Sequence, residues 1–130
     1  MKLLGLVDTS ILVGSIPADI IDNIDRYCSS TICRGELVQG LRVFRADPAR
    51  QHIASSREEL IRLLDSVPQF WRNFDAAASD GYGQLTAQSK SALRLKDALI
   101  AGHALALRAP LITGDPGFAR FNELEVVLLS

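Results

Sequence analysis

The sequence predicts an α/β domain with a central, mostly parallel sheet. Three observations carry that reading: apolar runs of strand length at residues 3–7, 110–113 and 126–129, intervening stretches with apolar residues at helical spacing, and short polar connections between them. The runs are continuous rather than alternating, as expected of strands covered by helices on both faces.

Residues 3–7 form the first strand, closed by Asp8, Thr9 and Ser10. Pro17 is placed to begin a helix, with Ile20, Ile21 and Ile24 on one side, Asp19, Asp22 and Asp25 on the other, and an end near Arg26. Residues 28–33 read as a second short strand, and a helix from about Arg34 carries Leu37, Leu41 and Phe44 in one stripe. Asp47 and Pro48 supply a cap and first position for the next helix, whose later apolar face is Ile53, Leu60, Ile61 and Leu64; Ser56 and Glu59 have the spacing of a capping box that would restart it. Pro68 breaks the pattern, and residues 69–74, with Phe70, Trp71 and Phe74, fit neither period. Residues 75–88 are Ala-rich and read as helix despite Gly81 and Gly83, each of which costs about 1 kcal/mol relative to Ala. A further helix over 97–107 includes Gly102, expected to let it lie close to the sheet, and residues 110–113 and 126–129 complete the strands around the turn Gly114-Asp115-Pro116-Gly117.

A chain of 130 residues, 48% hydrophobic and without low-complexity tracts, has the size and composition of a single domain over 1–130. The first apolar run is interrupted by Asp8 before it could form a signal peptide or membrane span, so the expected location is the cytoplasm, with no membrane partner. Cys28 and Cys33 would then be reduced thiols, pointing to opposite faces of the same strand. The net charge of −1 gives no overall attraction for nucleic acid, but basic residues are concentrated. Residues 34–62 carry six Arg against four acids (+2), and residues 86–108 carry Lys90, Arg94, Lys96 and Arg108 against Asp97 (+3). Solvated helix faces account for the same pattern.

In parallel α/β sheets, ligands bind beyond the carboxyl ends of the strands. Four acids fall there: Asp8 after the first strand, Glu36 after the second, Asp97 at a helix start and Asp115 after the strand at 110–113. Two carboxylates about 4 Å apart repel by roughly 4 kcal/mol at an effective dielectric near 20, so a cleft holding four of them calls for a hard dication such as Mg²⁺ or Mn²⁺. Metal-assisted phosphodiester hydrolysis is the chemistry such a site serves. Each acid also has an ordinary structural role: an Asx turn for Asp8, a capping box for Glu36, a dipole-favoured first turn for Asp97 and turn chemistry for Asp115.

The segments Val7-Asp8-Thr9-Ser10-Ile11-Leu12, Gly35-Glu36-Leu37, Asp97-Ala98-Leu99-Ile100-Ala101 and Leu111-Ile112-Thr113-Gly114-Asp115, in this order and over almost the whole chain, resemble PIN-domain ribonucleases, in particular the VapC toxins of toxin–antitoxin pairs. The resemblance implies a three-layer α/β/α PIN fold, a Mg²⁺- or Mn²⁺-dependent endoribonuclease, a homodimer and a small antitoxin partner. It assigns Asp8, Glu36, Asp97 and Asp115 as catalytic metal-site acids, with Thr9, Ser10 and Thr113 as supporting hydroxyls. The family often has Thr or Ser where this chain has Cys33, which predicts a weaker cap for the helix bearing Glu36. Arg34, Lys90, Arg94 and Lys96, near these acids in sequence, are expected to contact RNA phosphates. His52 and His103 do not have the spacing of a metal pair. Competing readings are a PIN-like nuclease for RNA processing or structured DNA, and a catalytically silent module that binds RNA or protein.

Overall fold

The computed structural model describes residues 2–87 and 94–129. Its strands are β1 (Gly5–Val7), β2 (Tyr27–Ser30), β3 (Trp71–Arg72), β4 (Leu111–Thr113) and β5 (Val126–Leu128). The helices are α1 (Thr9–Leu12), α2 (Ala18–Asp22), α3 (Thr31–Arg45), α4 (Gln51–Asp65), α5 (Ala76–Ala87) and α6 (Leu95–Leu107). All pairings are parallel and the strand order is β3-β2-β1-β4-β5, with Leu6 opposite both Cys28 and Leu111. From β1 the chain builds outwards to one side, then returns to add β4 and β5 on the other. The order therefore reverses between β1 and β4, and connections leaving those two strands in opposite directions open a crevice at their carboxyl ends.

Alternate residues of the central strands serve opposite faces. Leu6, Cys28 and Leu111 join Leu85, Ile100, Ala101 and Ala104 from α5 and α6 in one core. Val7 and Ile112 join Ile11, Leu37, Ile61 and Leu64 from α1, α3 and α4 in the other. The result is the expected three-layer α/β/α arrangement, in which helices cover both sides of a sheet whose middle strands are almost wholly buried.

Several boundaries differ from the sequence reading, each for a local reason. The second strand spans Tyr27–Ser30 rather than 28–33, because Ser30 turns the chain into α3: its hydroxyl accepts from the Ile32 N–H at 3.1 Å. Cys33 accordingly lies inside α3, not on a strand with Cys28, and it is Ser30 that caps the helix. Both thiols are free and buried. The helix expected from Pro17 to Arg26 divides into α2 and a 3₁₀ turn at Ile24–Arg26. Pro48–Arg50 is also a 3₁₀ turn, and α4 then runs unbroken through Ser56, whose hydroxyl bonds back to the His52 carbonyl instead of starting a capping box. Residues 69–74 supply the edge strand β3, with Phe70 in the core. The Phe74 N–H bonds the Thr31 hydroxyl at 3.2 Å. The short α1, directly after Asp8, has no counterpart in the sequence reading.

Gly102 permits a close approach to α5 rather than to the sheet. A Cβ on Gly81 would fall 2.2 Å from the Gly102 carbonyl oxygen, and one on Gly102 would fall 2.5 Å from the Tyr82 backbone. The two helices thus meet backbone to backbone, and the glycines that weaken them singly are what lets them pack. His103 of α6 is buried at 2% exposure, with its Nδ1 2.9 Å from the Ser30 hydroxyl and its ring edge-to-face with Phe74. One hydroxyl therefore joins the start of α3 to the middle of α6. His52, by contrast, is exposed.

Two outcomes are expected. Gly102→Ala should destabilise the protein by about 1–3 kcal/mol, the usual cost of overpacking, read as a lowered midpoint in urea unfolding. Burial holds the His103 pKa below its ordinary value, with the Asp75 charge acting against this and the Arg72 charge acting with it. Between the depressed folded value and the unfolded value near 6.5, the unfolded state binds more protons, so this contribution to stability is complete above that pH and declines as pH falls below it. His103→Gln should flatten the corresponding part of a plot of melting temperature against pH.

Candidate functional site

The crevice between β1 and β4 gathers the predicted acids. Asp8 follows β1 and is 7% exposed, its backbone N–H bonded to the Ile112 carbonyl at 2.9 Å. Its Oδ2 accepts from two hydroxyls, Ser10 at 2.9 Å and Thr113 at 2.8 Å. Thr113, buried at the end of β4, also accepts from the Asp115 N–H at 3.0 Å, and Ser10 accepts from the Gly114 N–H at 2.9 Å. The three supporting hydroxyls expected from the sequence are therefore all engaged here, since Thr9 donates to Glu36 Oε1 at 2.9 Å.

Glu36 lies one turn further into α3 than a capping box would require, so its carboxylate is not spent on the helix end. It points into the crevice, where Lys96 of α6 approaches Oε2 at 3.4 Å. Ligating atoms of Asp8, Glu36 and Cys33 all lie within 4.8 Å of one another. Asp97 sits in the first turn of α6. Its pKa is raised, first by burial and next by the negative charge of Asp115, with Asp8 adding to the shift and Arg94 and Arg120 opposing it. The charges of Asp115 and Asp8 thus reach Asp97, although the four acids differ in how firmly they are held. Asp115 divides its role: its Oδ1 caps the 3₁₀ turn Pro116–Arg120 by accepting from the Gly117 N–H at 2.8 Å. An open cleft of about 620 Å³ borders Ser10 and Asp115.

This donor set fits a divalent cation. Hard oxygens converge from separate elements, mutual repulsion disfavours the ionised form of Asp97, and Lys96 is a solvated monocation that offsets the charge of Glu36 from the rim. A bound dication would relieve that repulsion directly.

The four basic residues fare differently. Arg34 makes a bidentate pair with Asp65, at 2.9 and 2.8 Å, and the Trp71 indole donates to the same carboxylate at 2.7 Å. Its guanidinium joins α3 to α4 through a pair that is partly open to solvent. Lys96 and Arg94 are exposed beside the acids, and Lys90 lies outside the described residues. The pairing of Ser30 with His103, which fixes α3 relative to α6, was beyond sequence reasoning, as was the approach of Cys33 to the acids; the only hint of the latter was its distance of three positions from Glu36.

An acidic centre at the switch point of a parallel sheet defines a class of α/β domain in which the strands only position the ligands and the chemistry resides at their ends. Residues 5–124 match the PIN domain family model, and the chain belongs to that family, which includes nucleases. No curated protein matches the sequence. Its fold is shared with VapBC2 from Rickettsia felis bound to a promoter DNA fragment (TM-score 0.74, 21% identity, 96% of this chain and 98% of that one). It is equally close to DNA-bound VapBC from Salmonella typhimurium (0.75, 22%, 97% and 98%). A third structure is VapBC-5 from Mycobacterium tuberculosis, a member of the VapBC family of toxin–antitoxin systems (0.73, 24%, 96% and 98%).

Thr113→Val should test the hydroxyl network. It removes a donor from Asp8 and an acceptor from the Asp115 N–H at a buried position, with an expected loss of about 1–3 kcal/mol in urea unfolding.

Proposed function

We propose that this protein is a divalent-metal-dependent endoribonuclease and the toxin of a toxin–antitoxin pair. The observation that carries the reading is the convergence of carboxylates from β1, α3, α6 and the end of β4 on one crevice, in a chain of the PIN domain family. In this reading Asp8, Glu36, Asp97 and Asp115 hold Mg²⁺ or Mn²⁺. When bound, the ion supplies an activated water and charge stabilisation for cleavage of a phosphodiester.

The chain's own contribution is to hold the acids ready. Ser10 and Thr113 orient the carboxylate of Asp8, and Thr9 orients that of Glu36. Pre-organisation of this kind removes reorganisation cost from the reaction itself. Lys96 and Arg94, exposed at the rim, are suited to contact the phosphates that flank the scissile bond, and Lys96 can transfer its partnership from Glu36 to RNA once a dication is present. RNA as the substrate, action in the cytoplasm, a homodimeric state and an antitoxin partner rest on the resemblance to VapC toxins. Two features support partnership with protein: the structural neighbours are VapBC complexes, and Val13, Ile21, Val43, Leu63 and Leu128 are exposed. Among the described residues, no helix is long and apolar enough to cross a membrane.

The test is cleavage by purified protein freed of any partner. RNA should be cut with Mn²⁺ or Mg²⁺, single-stranded DNA should be left intact, and chelation should stop the reaction. Asp97→Asn should lower the rate at least about a hundredfold, the scale seen when one electrostatic stabiliser is removed. Undiminished cleavage after chelation or in Asp97→Asn would overturn the reading.

A further inference from the structure

Cys33 is fully buried, in the first turn of α3, and its sulfur occupies the wall of the acidic crevice: Sγ, an Asp8 carboxylate oxygen and a Glu36 carboxylate oxygen are mutually within 4.8 Å. Its side also packs in the core with Leu6, Cys28 and Ile100, which alone would make it a small apolar filler. Its position separates it from a filler: the sulfur lies against two carboxylates of the proposed dication site, and Thr9 orients one of them, Glu36. Burial pushes the thiol pKa up to about 11, so without a metal it stays a neutral S–H.

A site of oxygen donors alone suits hard ions, whereas one that adds sulfur favours thiophilic ones, and zinc binds nitrogen, oxygen and sulfur sites more tightly than manganese does. We propose that Cys33 makes this centre a thiophilic-metal site, in which Zn²⁺ is held by the Asp8 and Glu36 carboxylates and the Cys33 sulfur and excludes the hard dication used for hydrolysis. The inference rests on the reading of these acids as a dication site and adds a regulating ion to it. On binding, the S–H bond breaks, its proton leaves to solvent, and the sulfur electron pair forms the bond to the metal; no oxidant or reductant is needed. The mixed donor set would leave Mg²⁺ and Mn²⁺, which gain little from sulfur, with Asp8, Glu36, Asp97 and Asp115.

Cobalt(II) provides a direct probe, because a thiolate bound to it produces a near-ultraviolet charge-transfer band that carboxylates do not. Titration of the metal-free protein with Co²⁺ should give that band in the wild type and in Cys28→Ser, and not in Cys33→Ser. Calorimetry should show Zn²⁺ affinity falling at least about tenfold in Cys33→Ser, the scale for loss of a metal-site interaction, with Mn²⁺ affinity nearly unchanged. Zn²⁺ added to the Mn²⁺-loaded wild type should suppress RNA cleavage, and Cys33→Ser should resist it. The wild-type cobalt spectrum requires no variant to fold. Mn²⁺ binding without a thiolate band, or a band that persists in Cys33→Ser, would overturn the role of Cys33 while leaving the nuclease reading intact. Absence of binding by both Mn²⁺ and Co²⁺ would overturn both.

Discussion

Asp8 places a carboxylate, almost wholly buried, at the end of the central strand, directly after the fully buried Val7. Burying such a group without partners is costly, and the protein meets that cost with hydroxyls supplied from both sides of the crevice. Because Thr113 bonds both to Asp8 and to the backbone of Asp115, the position of the first acid is tied to the register of β1 against β4. A one-residue slip would turn Thr113 to the other face of the sheet and leave Asp8 without it. The geometry of the acidic centre is in this sense a property of strand pairing as much as of the acids themselves.

Helices add the remaining acids, and they are anchored from beneath. Glu36 and Asp97 come from α3 and α6, joined by the buried Ser30–His103 hydrogen bond and, at the surface, by the Lys96–Glu36 pair. The two links differ in kind. The first is excluded from water and sets the relative position of the helices, whereas the second is exposed and contributes little stability, leaving it free to exchange partners. The backbone contact of α6 with α5 at Gly102 and Gly81 limits movement from the other side.

Much of the fold was legible because apolar runs and helical spacing are local signals. The three strands β1, β4 and β5 and the helices around Leu37, Ile61 and Ile100 fall where the pattern placed them. The failures occur where a tertiary partner decides. Thr31 and Ile32 have strand propensity, yet Ser30 caps a helix there, with His103, more than seventy positions away, sharing its hydroxyl. Residues 69–74 form a strand only because β2 offers them an edge, and α1 is too short to display a period. The acids were legible as a set because each follows a recognisable element. Arg34 was not, since nothing in its neighbourhood announces Asp65 as its partner. The environment of Cys33 was likewise hidden, because placing it on a strand gave it the wrong direction.

The pairing of β1 with β4 joins the beginning of the chain to a segment more than a hundred residues later. During synthesis, β2 and β3 can dock on β1 as they emerge, but α6, Thr113 and Asp115 are made only after all three of these strands. The nascent protein therefore carries a half-built sheet with an exposed central edge and a dispersed set of acids until β4 arrives. Assembly of the centre waits on β4 by topology alone, so a catalyst of the proposed kind would remain harmless to the messenger and ribosome producing it until that strand is in place.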